Sequence, residues 1–157
     1  MEVLVFCGLQ ASGKSTYYRK YFSLTHLLIS KDLMGQTKRK EQYQREFLHL
    51  ALQARHCVVI DNTNPTPLAR ASLIEIAHSY GAIVIGYYFT TPLKEAVERN
   101  QQREGAAKVP SVAIYSTAAR LIPPTYAEGF DRLYYVQISV NSTPTAPTWV
   151  VEEVEHV

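Results

Sequence analysis

The apolar run Val3-Leu4-Val5-Phe6 passes through Cys7 directly into Gly8-Leu9-Gln10-Ala11-Ser12-Gly13-Lys14-Ser15, and this junction constrains the chain more than any other segment. Its form is Gly, four residues, then Gly-Lys-Ser: a phosphate-binding loop delivered by a buried strand. Glycines admit backbone angles closed to other residues, so successive N–H groups can surround phosphate oxygens. The lysine reaches the β- and γ-phosphates and the serine hydroxyl coordinates Mg²⁺. The residues from Thr16 to Phe22 read as a helix whose N-terminal dipole faces the anion. Read instead as a strand-to-helix turn that binds nothing, the segment leaves Lys14 without an anionic partner.

At 157 residues, with 46% hydrophobic and 19% charged residues, the chain has the size and composition of one globular domain. A net charge of +2 is too small to argue for a polyanionic partner, so any such site must come from local clustering. Cys7 and Cys57 lie in apolar runs and read as reduced, buried thiols, which suits a cytoplasmic protein. No apolar stretch reaches membrane-spanning length, and the first residues read as a strand rather than a secretory signal. No membrane association is expected. The core domain is expected over residues 1–140. Residues 141–157 then form a Pro/Thr-rich connector and a short tail that adds an edge strand, mediates a contact or stays free.

Strand-like runs at 3–6, 26–30, 56–60, 82–89 and 133–140 alternate with helical patterns at 40–54, 65–80 and 92–104. Such alternation predicts an α/β fold: a three-layer αβα sandwich with a mainly parallel sheet and a helical lid over residues 99–120. Ligands of these sheets bind outside the carboxyl ends of the strands. Three of the runs end in polar clusters there: the phosphate loop, Ser30-Lys31-Asp32, and Asp61-Asn62-Thr63-Asn64.

Asp32 at a strand end suits a general base for an attacking hydroxyl, and equally a cap of the turn that follows. Asp61, after Val58-Val59-Ile60, has the apolar-strand-then-Asp form that holds a Mg²⁺ water in phosphate-loop enzymes. Asn62, Thr63 and Asn64 read either as a hydrogen-bonded turn or as groups orienting nucleotide or acceptor. Arg99 and Arg103 share a helix face, where a triphosphate would convert their mutual repulsion into attraction. The turn Glu104 to Pro110 is rich in small residues and suits a hinge. Lys38, Arg39 and Lys40 precede Gln42-Tyr43-Gln44-Arg45: a solvated helix, or a groove where cations meet phosphates and Tyr43 stacks on a base.

Taken together, Gly8 to Thr16, Ser30 to Gly35, Val58 to Pro65 with Arg70, Arg99 to Arg103, Val109-Pro110 and Ala127 to Phe130 resemble the 5′-polynucleotide kinase family. The resemblance implies a P-loop kinase domain that uses ATP and Mg²⁺ to phosphorylate the 5′-hydroxyl end of DNA or RNA. It implies nucleotide binding by Gly8, Leu9, Gln10, Ala11, Ser12, Gly13, Lys14, Ser15, Thr16, Arg99 and Arg103. Catalysis falls to Lys14, Asp32 and Arg103, metal binding to Ser15 and Asp61. Acceptor binding is expected from Lys31, Lys38, Arg39, Asp61, Asn62, Thr63, Asn64 and Arg70. Lys31 stands where the family commonly carries Arg, and Gly35 follows the animal-type pattern. A phosphatase or ligase acting on the same nucleic acid ends is expected as a separate partner. The residues alone leave two other readings open, a small-molecule kinase of the same fold and a regulatory module that binds ATP without transfer.

Overall fold

The computed structural model describes residues 1–156. Its centre is a six-stranded sheet in the order β2-β3-β1-β4-β5-β6. The strands are β1 (Glu2–Gly8), β2 (Leu27–Ile29), β3 (Val58–Asp61), β4 (Ile83–Phe89), β5 (Arg132–Ile138) and β6 (Trp149–Glu153). All pairings from β2 to β5 are parallel, and β6 pairs antiparallel with β5.

Alternation along β1 explains why its sequence is apolar throughout. Val3 and Val5 face one core with Val58, Ile60 and Val84, closed by Leu48 and Leu52 of α2 (Lys40–Gln53) and by Leu73 and Ala77 of α3 (Pro67–Ser79). Leu4 and Phe6 face the other with Val59, Ile85 and Phe89, against Tyr17 and Tyr18 of α1 (Lys14–Tyr21). Both faces of the strand are therefore covered, as a parallel sheet between helices requires. Each such side chain contributes about 1.5–3 kcal/mol of burial free energy, so the central strands anchor the loops at their ends. The αβα sandwich read from the sequence is the fold observed.

The expected helix at 92–104 is shorter. It is α4 (Leu93–Gln101), and the chain then turns through Gly105 at φ +63° before α5 (Ser111–Arg120). Asn100 closes that turn, its Nδ2 donating to the Val109 carbonyl at 2.7 Å and its Oδ1 accepting from Val109 N–H at 3.0 Å. The two helices pack on the phosphate loop through Leu9, Ala96 and Ile114. α3 starts two residues later than the pattern at 65–80 implies, because the Thr66 hydroxyl caps it by accepting from Ala69 N–H at 3.1 Å.

Of the roles open to the tail, it takes the edge strand. β6 continues the sheet, Val154 N–H donates to the Leu133 carbonyl at 2.8 Å, and Trp149 packs against Tyr17 with ring centroids 5.2 Å apart. Residue 157 of the predicted tail lies outside the described residues. Among the described residues, no helix is long and apolar enough to cross a membrane. The Cys7 thiol is buried and pushed up to about 12 by burial, while Cys57 is partly exposed, and the two form no disulfide.

Candidate active site

The phosphate loop begins where β1 meets β4. A Cβ on Gly8 would lie 2.8 Å from the Phe89 carbonyl oxygen, so no larger residue fits that crossing. Gly13, at φ +89°, turns the chain into α1, whose first turn has no side-chain cap. The N–H groups of that turn are thereby left for an anion.

The loop is fixed from outside by four other segments. Gly8 N–H donates to the Thr63 carbonyl at 3.0 Å, and Arg99 Nε donates to the Ala11 carbonyl at 3.0 Å. The Thr91 hydroxyl donates to the Ser12 carbonyl at 3.4 Å, and Gln10 Nε2 to the Thr117 hydroxyl at 3.0 Å. Lys14 folds back along the loop, its Nζ donating to the Gly8 and Leu9 carbonyls at 3.1 and 2.7 Å. Burial lowers its pKa to about 8, opposed in part by the nearby Asp61 charge.

A polar cleft of about 590 Å³ opens over this loop. Gln10 to Thr16 form one side, Lys31 and Asp32 a second, Asp61 to Pro65 the base, and Arg103 with Ala106, Ala107 and Val109 the roof. Asp32 sits on a 3-10 turn (Lys31–Leu33) just past β2, and its own N–H donates to the Ser30 hydroxyl at 3.3 Å. That bond leaves its exposed carboxylate uncommitted to capping. Arg103 is partly exposed, and burial followed by the charge of Arg99 disfavours its protonated form. An anion beside Arg103 would favour the charged form, whereas Arg99 does not share its helix face, because α4 ends at Gln101.

Ser15 Oγ donates to Asp61 Oδ2 at 2.7 Å. Burial raises the Asp61 pKa, with Lys14 and the Ser15 hydrogen bond acting the other way. Two adjacent hard oxygen donors on the phosphate side of the cleft suit a divalent cation that keeps several waters, and so fit Mg²⁺.

Not every predicted residue reaches the cleft. Arg70 is wholly buried: Nε and Nη2 donate to Glu128 at 2.7 and 3.0 Å, and Nη1 donates to the Asn64 carbonyl at 2.8 Å. This corrects its assignment to the acceptor, since all three guanidinium nitrogens donate inside the fold and none of the side chain is exposed. Arg99 holds the loop backbone and does not line the cleft. Lys38 and Arg39 are exposed and lie outside it. Gly8 and Leu9 lie beneath the loop, offering carbonyls to Lys14 rather than amides to the cleft. Asn64 borders the cleft, but its Nδ2 is spent on the Phe6 carbonyl at 2.8 Å.

Asn62, expected at the acceptor, ties elements together, and other residues take roles that the sequence reading did not give them. Asn62 accepts from Lys31 N–H at 2.9 Å through Oδ1 and donates through Nδ2 to Gln44 Oε1, tying α2 and the Asp32 turn to β3. The buried Gln44 was detectable as the polar member of the stripe Gln44, Leu48, Leu52 at helical spacing. Arg19 borders the cleft, Glu41 pairs with Lys31, and Trp149 Nε1 lies 3.4 Å from where a Cβ on Gly13 would be.

The family model described as "AAA domain" matches residues 3–124, most of the chain. The chain belongs to this family. It is 29% identical over 136 residues to the bifunctional polynucleotide phosphatase/kinase of Schizosaccharomyces pombe, covering 84% of this chain and 32% of that protein. The chain thus spans about a third of that relative's length. Kti12 of Chaetomium thermophilum, solved in complex with ADP-AlF3, superposes with a TM-score of 0.68 at 16% identity, covering 92% of each chain. A gluconokinase from Sinorhizobium meliloti 1021 gives 0.61 at 19% identity, covering 87% of this chain and 82% of its own. At such identities the likeness is one of fold alone, a three-layer αβα sandwich.

Proposed function

We propose that the chain is an ATP-dependent kinase that transfers the γ-phosphate to the 5′-hydroxyl end of a polynucleotide. The observation that carries this reading is the exposed Asp32 carboxylate, which borders the same cleft as the phosphate loop. A carboxylate at that position can accept the proton of an acceptor hydroxyl as its oxygen attacks the phosphorus. The 29% identity to a polynucleotide phosphatase/kinase supports the choice of acceptor.

In the proposed step Asp32 accepts the proton of the 5′-hydroxyl as its oxygen attacks the γ-phosphorus. The bond from that phosphorus to the β-γ bridging oxygen breaks, and ADP leaves. Lys14 turns from the loop carbonyls toward the phosphates, and Arg103 neutralises charge on the transferring group from above. Arg99 acts at one remove by holding the Ala11 carbonyl and therefore the loop amides. Mg²⁺ held near Ser15 and Asp61 would neutralise the β- and γ-phosphate oxygens. A phosphatase or ligase acting on the same ends, as a separate protein, belongs to this proposal.

The test is purified protein with labelled ATP and a panel of acceptors: 5′-hydroxyl DNA and RNA oligonucleotides, nucleosides, and sugars. Label transferred to oligonucleotide 5′ ends supports the reading. Transfer confined to a small alcohol overturns the acceptor, and ATP binding with no transfer to any acceptor overturns the kinase.

A further inference from the structure

The 3-10 turn carrying Asp32 divides two cavities. On its other side, away from the phosphate loop, lies an open groove of about 330 Å³ between β2 and α2. Leu28, Leu33, Met34, Tyr43 and Phe47 wall it, with Ser30 contributing beside the turn. Lys31 and Asp32 line the polar cleft, while their neighbours Ser30 and Leu33 line the apolar one. A molecule whose hydroxyl meets Asp32 is thus next to an apolar groove at the moment of reaction.

The walls are costly to leave in water. Leu33 is 71% exposed and Phe47 48% exposed. Tyr43 and Phe47 stand four apart on one face of α2, ring centroids 6.4 Å apart and planes 35° from parallel. Two inclined rings opposite aliphatic side chains form a slot for a flat apolar group. The approach to the groove is basic, because Lys38-Arg39-Lys40 leads into α2. The carboxylates on the same helix are engaged, Glu41 by Lys31 and Glu46 by Gln42 at 2.9 Å. A flat, apolar group joined to an anionic backbone matches both features.

We propose that this groove receives the nucleobase of the acceptor's 5′-terminal nucleotide, with the phosphates that follow it running toward Lys38, Arg39 and Lys40. The proposal rests on the polynucleotide kinase reading and sharpens it, since the acceptor is then held by its base as well as by its hydroxyl. Because stacking needs only a π-face, the site would take all four bases with similar affinity.

The experiment is a steady-state kinase assay with two oligonucleotides identical except that one has an abasic 5′-terminal nucleotide. For the wild-type protein, removing the base should raise the oligonucleotide KM by about tenfold, the scale of one lost stacking contact. Phe47→Ala should raise KM for the intact end by a similar factor and leave the abasic end and the KM for ATP within about twofold. Tyr43→Ala, assayed in parallel, should behave the same way, which separates a lost slot from a damaged fold. If the wild type phosphorylates both ends with equal KM, the groove assignment is wrong while the kinase reading stands. If no oligonucleotide is phosphorylated, both fall. A Phe47→Ala effect equal on intact and abasic ends, or confined to self-association of the protein, would show that the groove serves packing or a second polypeptide and would overturn the proposal.

Discussion

Lys14 is buried against carbonyl oxygens, and its lowered pKa makes it both a functional group and a source of instability. The ordinary lysine value is 10.5 and the folded value about 8, so between these the unfolded chain binds more protons than the folded one. Stability contributed by this group therefore rises with pH across that window, and at lower pH the fold carries the cost of a buried ammonium. A phosphate anion beside Nζ favours the charged form. Nucleotide binding about one pH unit above the folded value should then take up most of one proton, and clearly below it almost none. Calorimetry of ADP binding in buffers of unequal ionisation enthalpy measures this directly; a heat independent of buffer above that pH would refute it. Asp32 makes a different demand, because its task is to take a proton rather than to hold charge. Asp32→Asn keeps the shape of the turn and should lower kcat by about 10² to 10⁴ with KM for ATP almost unchanged. A loss of only a few-fold, measured under saturating acceptor, would mean that the acceptor proton goes elsewhere.

Between elements, the Arg70–Glu128 pair joins α3 to the turn ahead of β5, and its third bond holds the Asn64 carbonyl at the base of the cleft. Removing one partner strands the other as a buried charge. Arg70→Ala should cost about 3–5 kcal/mol in denaturant unfolding, whereas the double replacement Arg70→Leu with Glu128→Leu should cost clearly less. Equal losses would show that the bond to the Asn64 carbonyl and the packing of Arg70, rather than the stranded charge, set the cost. This residue also marks the limit of sequence reading. The central strands and the phosphate loop are local patterns: apolar runs covered on both faces, and glycines at fixed spacing. Asp32, Asp61 and Arg103 follow from strand ends and from one helix, so their meeting around one cleft could be anticipated. Whether an arginine faces ligand or core depends on a partner far away in sequence, here Glu128 for Arg70 and the Ala11 carbonyl for Arg99. β6 was legible only as an alternative, because an edge strand exposed along nearly its whole length has no apolar run covered on both faces. Its Trp149 reaches Gly13 and Tyr17 only once β5 has brought it alongside α1.

At the scale of the whole molecule, a net charge of +2 spread over 157 residues provides little long-range attraction for a polyanion. Any dependence of acceptor binding on salt must arise where cations are concentrated, beside the turn that carries Asp32. Lys38 and Arg39 are exposed, outside the polar cleft, and on the chain leading into α2, so they are placed to meet backbone phosphates rather than the reacting group. Counterion release then sets the magnitude: for a single strand, log affinity falls with log salt by about 0.7 per phosphate neutralised. Replacing Lys38 or Arg39 by Ala should flatten the slope for oligonucleotide KM by about that amount each, and by about twice that in the double variant. The KM for ATP provides the internal control, because Lys14 and Arg103 are untouched. An oligonucleotide slope unchanged in the double variant would remove these cations from the acceptor path and leave that task to the basic side chains of the cleft itself, Arg19, Arg103 and Lys31, the last already paired with Glu41.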